Sequence, residues 1–401
     1  MYKVNYPRGS NKDRILECIF RNVGISRAEI AKETGITPAT TTHCIAELID
    51  EGYVYEIGDI ASENNVGRRG IGLDIVSDRC FFIGIEIIEK TFTVGLFDLK
   101  GNILYKDIIT DPTRYIGRVN MAVMEQVELI LKENKAISDR ILGVGIGLPG
   151  HIDFENNTFI TNATYLDDLD ISYIKKTVKI PVYFENNVRC MALGQYIFSP
   201  SETPDSFSYL HIGRGLYCAS IVDEKMFVGN DFISGEIGHF IVAPEGQLCP
   251  CGKHGCLQLY CSERFIMDKV SRAMELGCTP ILDTIVESPE KLTFKNVIDA
   301  YLLGEKIVMS YINTALEYIS VLTGNIGVMM NPEKIFIHSN LLENDEIKRI
   351  FLNFAKRQLL FIDNKNSDTI EAIPFYPTDG ARGAAALALH CRVLNIDYQK
   401  N

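Results

Sequence analysis

The feature that most constrains this chain is a cysteine-rich stretch between residues 235 and 258. Three cysteines lie within eight residues, interleaved with glycines, and a histidine stands ten residues before the first of them. Zn²⁺ takes four such ligands in a tetrahedron, and a full set without an open position is typical of structural zinc. Ordinary buried thiols are the alternative, since cysteine is among the most buried residue types. The predicted zinc ligands are His239, Cys249, Cys251 and Cys256. Cys261 and His254 remain competing ligands.

Length and composition set the broad class of the protein. A chain of 401 residues with 46% apolar residues suggests a globular protein of two or three domains. We find neither an 18-residue apolar run nor a basic leader with an apolar middle, and so expect no membrane span and no secretory signal. Eleven cysteines with a clustered pattern favour the reducing cytosol, hence a cytoplasmic location. A net charge of −12 argues against broad polyanion binding but leaves room for a local DNA-reading face.

The first part of the chain has the order of signals of a helix-turn-helix. Apolar residues at helical spacing predict a first helix over residues 11–22. A capping box at Ser26–Glu29 opens a short second helix, which a glycine closes. Thr37 is an N-cap followed by proline, and it opens a third helix at about 38–51. Two short helices joined by a glycine-containing turn predict a helix-turn-helix, with a plain helical subdomain as the alternative.

A DNA-reading face and a wing complete this prediction. The third helix leaves small polar residues on its outer face, and a strand at 53–57 follows it. An arginine pair flanked by glycines then suits insertion into a narrow minor groove, although a solvated loop is the alternative. The residues predicted to contact DNA are Arg27, Thr37, Ala39, Thr40, Thr41, His43, Arg68 and Arg69.

The remainder of the chain reads as α/β layers. Strands are predicted at Phe81–Ile88, Phe92–Asp98, Gly101–Ile109 and Ile141–Leu148. A helix is predicted at about Ile116–Asn134, before the last of these strands. Further helices are predicted at Val297–Leu303, Lys306–Asn325 and Glu343–Leu359, and one buried strand is predicted at Lys334–Ile337. A last helix opens near Asp379 with small residues, which permit close packing against the first part of the body.

Three stretches together resemble the ROK family of sugar kinases and sugar-responsive repressors. They are Gly235–His239, the cysteine knuckle itself, and GVGIGLPGHID at 143–153. The resemblance covers essentially the whole chain and implies an α/β protein. Its expected fold is an N-terminal winged helix-turn-helix followed by a two-lobed actin-like/hexokinase-like (ribonuclease H-like) sugar-kinase scaffold. The expected domains are a DNA-binding domain at 1–76, a first lobe at 77–198 plus 378–401, and a second lobe with the zinc knuckle at 199–377.

The motifs that the resemblance to family kinases implies are altered in this chain. Where family kinases carry an Asp-x-Gly-Gly-Thr phosphate loop, this chain has Glu86–Lys90 without the glycine pair. The catalytic Asp of Glu-Asn-Asp is Asn187, and an amide cannot act as a general base. The second phosphate loop is partly retained at Gly213–Gly215, and His338–Asn340 replaces the adenosine-side glycine pair. We therefore expect a protein that is not an enzyme.

The resemblance also implies a set of sugar-binding groups, because a hexose needs fixed amides, carboxylates and an imidazole. Gln258 stands where the family usually has Glu, which favours a modified or anionic sugar. If one ring nitrogen of His239 binds zinc, the other is a donor available to a sugar oxygen. The predicted effector-binding residues are Asn162, Asn186, Asn187, Glu236, His239 and Gln258.

These observations predict a sugar-responsive DNA-binding transcriptional regulator, a repressor of carbohydrate-utilisation genes. Its expected partners are double-stranded operator DNA and a sugar or sugar-derivative effector bound between the lobes. A helix-turn-helix reads symmetric half-sites, so a homodimer or a dimer of dimers is expected. The alternatives are an active sugar kinase with an accessory N-terminal domain and a zinc-stabilised interaction module.

Overall fold

A computed structural model describes residues 10–60, 70–153, 158–161, 163–229, 234–358 and 369–394. The chain forms two compact units, Met1–Pro204 with Pro377–Asn401 and Asp205–Tyr376. The first unit is therefore discontinuous in sequence. The finer division into domains at 1–76, 77–198 with 378–401, and 199–377 remains a prediction. None of the helices in the described part of the chain is long and apolar enough to cross a membrane.

The secondary structure alternates between helices and strands in both units. The helices are α1 (Asn11–Arg21), α2 (Arg27–Thr34), α3 (Pro38–Asp50), α4 (Val119–Glu133), α5 (Ile171–Thr177), α6 (Asn187–Phe198), α7 (Gln258–Cys261), α8 (Glu263–Glu275), α9 (Phe294–Leu302), α10 (Lys306–Met330), α11 (Asp345–Gln358) and α12 (Asp379–Arg392). The strands are β1 (Val54–Ile60), β2 (Gly70–Ile75), β3 (Phe81–Ile88), β4 (Thr91–Asp98), β5 (Ile103–Ile109), β6 (Ile141–Leu148), β7 (His151–Asp153), β8 (Thr158–Ile160), β9 (Val182–Asn186), β10 (Phe207–Ile212), β11 (Leu216–Val222), β12 (Lys225–Met226), β13 (Lys334–His338) and β14 (Ile370–Ile373).

The N-terminal head is the winged helix-turn-helix that the sequence predicts. The Ser26 hydroxyl accepts a hydrogen bond from the Glu29 backbone N–H, and the Glu29 carboxylate accepts one from the Ser26 backbone N–H, so the capping box is present. Gly35 ends α2 in the left-handed region at φ +67°, where a side chain would be strained. Thr37 then caps α3 by accepting from the Thr40 N–H. Strands β1 and β2 pair antiparallel and form the base of the wing.

Each unit contains one five-stranded sheet. In the first unit the strand order is β5-β4-β3-β6-β9, with β3, β6 and β9 parallel. In the second unit the order is β12-β11-β10-β13-β14, with β10, β13 and β14 parallel. These mixed sheets with helices packed on them confirm the predicted α/β class. The strands predicted at 81–88 and 141–148 have the observed bounds of β3 and β6.

Helix α10 runs five residues beyond its predicted end at Asn325. The apolar residues of its last turn continue the helix to Met330. It ends at Asn331, which adopts the left-handed conformation at φ +43° and precedes a proline. An asparagine in this conformation followed by proline is a common helix stop. The helix therefore ends there and continues through Gly324 and Gly327.

Two glycines let α12 lie directly on the first-unit sheet. A Cβ built on Gly84 would lie 1.8 Å from the Ala381 carbonyl oxygen, and one on Gly145 would lie 1.7 Å from that of Ala384. The backbones of strand and helix therefore touch where other folds interpose side chains. This contact, together with the alanines of α12, brings the end of the chain back onto β3, β6 and α6, as its small residues suggest.

We expect Gly145→Ala to destabilise the protein by about 3 kcal/mol or more, because the added methyl meets a backbone atom that cannot move alone. Gly143 lies on the same strand, and a Cβ there would make an ordinary 3.4 Å contact with the Ala388 methyl. Gly143→Ala should therefore change stability by less than about 1 kcal/mol. Urea unfolding of both variants measures the difference, and equal effects would contradict the direct backbone contact.

Candidate functional site

The four predicted metal ligands form a cluster in the second unit. Their ligand atoms all lie within 4.8 Å of one another. The sulfurs of Cys251 and Cys256 are 3.6 Å apart, and the Cys249 sulfur is 3.8 Å from His239 Nδ1. Thiolates bound to zinc at about 2.3 Å in a tetrahedron are separated by about 3.8 Å. The cluster therefore has the spacing and the donor set to hold a four-coordinate metal ion.

The glycines of the knuckle set its backbone. The Cys249 N–H donates to the Lys253 carbonyl at 2.7 Å, and the Gly252 N–H donates to the Cys249 carbonyl at 2.8 Å, which closes a tight turn. Gly255 has φ +67°, and a Cβ there would lie 1.6 Å from the Ala243 carbonyl oxygen. Only glycine fits this position. The turn thereby brings cysteines from both of its sides to one point.

The two competing ligands lie outside the cluster. His254 is exposed, and its Nδ1 is 2.9 Å from the Gly246 carbonyl oxygen. Cys261 is buried, and its thiol donates to the Ala315 carbonyl at 3.6 Å. Both side chains have local roles in the surrounding loop and helices.

Gln258, predicted to contact a sugar, has its amide nitrogen directed at the cysteine cluster. Its Nε2 is 3.1 Å from the Cys249 sulfur. An amide N–H stabilises a thiolate here, whereas a carboxylate at the same place would repel it. The exchange of the family's Glu for Gln therefore changes the surroundings of the Cys249 sulfur. The sequence does not indicate this contact. Glu236 is exposed in the turn before His239, and His239 itself is half-buried.

Asn186, predicted to contact a sugar, caps helix α6. Its Oδ1 accepts the backbone N–H groups of Val188 and Arg189 at 2.9 and 3.2 Å. Its Nδ2 donates to the Gly150 carbonyl at 3.0 Å. The two bonds to the first turn of α6 occupy the oxygen, so the predicted sugar contact stays a prediction for the remaining amide N–H. An asparagine between a strand and a helix is a common N-cap, and this signal was available in the sequence.

Asn187 pairs with a buried carboxyl group. Its Nδ2 donates to Glu86 Oε1 at 2.9 Å, and both side chains are buried. Burial raises the pKa of Glu86 to about 7, and the nearby Asp379 acts in the same direction. A Cβ on Gly380 would lie 2.0 Å from the Glu86 carboxyl carbon, so the start of α12 closes over this group. The amide at the kinase-base position is thus hydrogen-bonded to a buried carboxyl group whose pKa is raised.

Aromatic rings fill the edge of the second-unit sheet where the resemblance places adenosine. The Nδ1 atoms of His211 and His338 are 2.9 Å apart, and burial lowers the pKa of His211 to about 3. The His338 ring stacks on Phe375 at 4.6 Å between centroids. Ser339 donates to the Ile212 carbonyl at 2.8 Å. These side chains satisfy one another in place of a glycine pair.

The outer face of α3 differs from its prediction at one residue. Ala39 and His43 are exposed and Thr40 is half-buried, as a DNA-reading face requires. Thr41 is fully buried, and its hydroxyl has no hydrogen-bond partner among the described residues. Its placement on the DNA-reading face is therefore wrong, because it belongs to the helical stripe that includes Ile45.

Of the remaining predicted residues, two make contacts within the head and three lie outside the described part of the chain. Arg27 forms an ion pair with Glu56, with 2.8 Å between Nη2 and Oε1, so its charge is partly neutralised in the free protein. Thr37 is exposed and caps α3. Arg68, Arg69 and Asn162 lie outside the described residues.

We expect the stability of this unit to fall as the pH rises from about 4.5 through 7. The folded protein holds the Glu86 proton more tightly than the unfolded chain, so this stability is complete at low pH and lost once the folded group ionises. Glu86→Gln should remove about 2 kcal/mol of the loss between pH 5 and pH 8. Urea unfolding at both pH values tests this, with the exposed Glu89→Gln as control. Equal pH dependence in Glu86→Gln and wild type would contradict the assignment.

Comparisons with known proteins agree with the fold and the motifs. The chain is 28% identical over 335 residues to the xylose repressor of Caldicellulosiruptor bescii, covering 82% of each chain. It is 24% identical to the xylose repressor of Bacillus subtilis, with 83% of each covered. It is 23% identical over 350 residues to the DNA-binding transcriptional dual regulator NagC of Escherichia coli, covering 86% of this chain and 84% of NagC.

Solved structures and family models lead to the same assignment. A ROK family transcriptional regulator described as a homolog of E. coli MLC superimposes with a TM-score of 0.73 over 98% of both chains at 22% identity. The ROK hexokinase of Thermus thermophilus gives 0.62 at 19% identity, covering 77% of this chain and 98% of the hexokinase. Residues 11–55 match a model of winged helix-turn-helix DNA-binding domains, and residues 82–391 match the model of the ROK family. The chain belongs to the ROK family and carries a winged helix-turn-helix ahead of its ROK domain.

Proposed function

We propose that this protein is a sugar-responsive DNA-binding transcriptional regulator that represses carbohydrate-utilisation genes. The observation that carries the proposal is the joining of a winged helix-turn-helix, with an exposed face on α3, to a ROK domain altered at its kinase motifs. The similarity to xylose repressors and to NagC supports the same function. The effector is a sugar or sugar derivative, and the DNA partner is a double-stranded operator.

The start of α3 and the wing bind the DNA. Thr37, Thr40 and His43 meet base edges or phosphates in the major groove, and Ala39 provides an apolar contact there. Arg68 and Arg69 enter the minor groove. Because each head reads one half-site, the regulator binds its operator as a homodimer or a dimer of dimers.

The ROK domain acts as a sensor and not as a kinase. Asn187 cannot take a proton from a sugar hydroxyl, and its amide is held by Glu86. In the second unit, His211 pairs with His338 and Phe375 stacks on His338 at the sheet edge where the resemblance to family kinases places adenosine. The absence of a base and the filling of that edge are independent obstacles to phosphoryl transfer.

The effector is held by hydrogen bonds from the ROK domain. Asn187, Glu236 and His239 are the contacts we propose. His239 directs Nδ1 toward the cysteine cluster, and with Nδ1 bound to a metal ion its proton would lie on Nε2, which would then donate to a sugar oxygen. To change operator affinity, the sugar must bind one arrangement of the protein better than the other.

The metal at the cysteine cluster is a structural Zn²⁺ held by His239, Cys249, Cys251 and Cys256. When bound, it would supply charge and four fixed directions but no catalysis, because every position is taken by protein. The residues around it orient these ligands. The Gln258 amide supports the Cys249 sulfur, and the Gly255 turn keeps the knuckle closed.

The DNA-binding proposal predicts opposite results for two neighbouring residues of α3. His43→Ala should weaken binding to genomic fragments selected by the wild type at least about fivefold, because it removes one exposed contact. Thr41→Val should leave binding unchanged and stabilise the head by about 1 kcal/mol, because it removes a buried hydroxyl that lacks a partner. Fluorescence anisotropy at one fixed salt concentration measures both. Full binding by His43→Ala together with weakened binding by Thr41→Val would contradict the proposed face.

The metal proposal predicts one tightly held zinc ion per chain. Cys249→Ser should lose the zinc and lower the melting temperature by several degrees, because it removes one of the four ligands and with it the free energy of metal binding. Cys278→Ser is the matched control, since that cysteine is exposed and remote from the cluster. Elemental analysis of the purified proteins reports the metal content. Wild-type protein without zinc, or equal loss from both variants, would refute the site.

A further inference from the structure

One arginine joins the DNA-binding head to the body of the first unit. Arg21 is the last residue of α1, and its Nη1 and Nη2 donate to the carbonyls of Tyr196 and Thr203 at 3.0 and 2.8 Å. Its guanidinium also lies over the Tyr196 ring, 4.1 Å from the centroid. A planar guanidinium that donates through two nitrogens and stacks on a ring fixes both distance and direction, which an ammonium group cannot do.

Both acceptors lie at or just beyond the end of α6. Tyr196 lies in the last turn of this helix, where carbonyl groups lack partners within the helix and carry partial negative charge. Thr203 lies just beyond and is tied back to the same end, because its hydroxyl donates to the Ser199 carbonyl at 2.7 Å. A cation placed here neutralises the helix end and holds it to α1.

The opposite end of α6 carries the altered kinase motif. Asn186 caps the helix, and Asn187, its first residue, is held by Glu86. A helix of 12 residues spans about 18 Å between the two ends. It is buried along nearly all of its length, and a Cβ on Gly194 would lie 3.0 Å from the Gly383 Cα. Such a helix shifts as a rigid body and does not bend between its ends.

We infer that α6 carries the effector signal to the DNA-binding head and that Arg21 is the positioning residue at the head end. This inference rests on the proposed function. A sugar that changes the hydrogen bonds of Asn187 displaces the start of α6. The rigid helix moves its last turn with it, and the two Arg21 hydrogen bonds pass that displacement to α1. Operator affinity then depends on sugar because both bias the position of one helix.

A second contact between head and body supplies a matched control. Lys100, in the turn after β4, forms an ion pair with Asp74 of β2, with 2.6 Å between Nζ and Oδ2. This pair also attaches the head, but neither of its residues lies on α6. Loss of the Lys100 pair should loosen the attachment without breaking the path from Asn187.

The test measures operator affinity of the full chain with and without saturating sugar. The probes are D-xylose, N-acetyl-D-glucosamine, D-glucose and their phosphate esters, and the sugar that changes wild-type affinity is used for the variants. In Arg21→Gln we expect this change to fall from at least about tenfold to under about threefold. Sugar affinity by calorimetry should stay within about twofold of wild type. Arg21→Lys, which keeps the charge, should also lose the response. Lys100→Gln should retain it.

Each outcome decides the inference. Arg21→Gln and Arg21→Lys that keep the full sugar response would overturn it while leaving the proposed function intact. Loss of the response in Lys100→Gln as well would show a general need for attachment and would also overturn it. If Arg21→Gln does not fold, Arg21→Lys alone decides. A wild type that binds no operator, or responds to none of the probes, would overturn the proposed function and the inference together.

Discussion

The first unit depends on direct backbone contact between α12 and the elements beneath it. Gly84 and Gly145 admit the helix to the sheet, and a Cβ on Gly383 would lie 2.4 Å from the Cys190 carbonyl of α6. No side-chain layer separates these elements, so they have little freedom to shift independently. The final residues of the chain therefore pack directly on β3, β6 and α6, so a displacement of one of these elements is passed on to its neighbours. The altered kinase motif and the contact with the DNA-binding head lie at opposite ends of α6.

The same scaffold that positions phosphate and sugar in family kinases is here stabilised by internal pairs. Glu86 is held by Asn187, and His211 is held by His338. In each unit a buried polar group that would otherwise need a ligand finds a partner within the chain. Buried polar groups without partners are costly, so these pairs stabilise the protein in the absence of nucleotide. Under the proposed function, these pairs stabilise the state of the protein that precedes sugar binding.

Much of the fold follows from short-range signals in the sequence. Capping boxes predict the helices of the head, apolar runs predict β3 and β6, and the cysteine spacing predicts the cluster of possible metal ligands. Each of these features depends on residues that are close together in the chain. Thr41 was misplaced although its spacing from Ile45 put it on the buried stripe. Asn186 and Gln258 were assigned by resemblance to sugar contacts. Their observed roles, a helix cap and an amide on the Cys249 sulfur, depend on backbone geometry and on three-dimensional proximity. The Arg21 contact joins residues 175 and 182 positions apart, and no local pattern indicates it.

Under the proposed function, a sugar-kinase scaffold serves as a sensor whose output is DNA binding. The most direct measurement is operator affinity across a panel of neutral and phosphorylated sugars, with and without ATP and Mg²⁺. We predict that at least one sugar changes operator affinity about tenfold or more, to the same extent in both conditions. A change that requires ATP, or operator affinity that no sugar alters, would contradict the account.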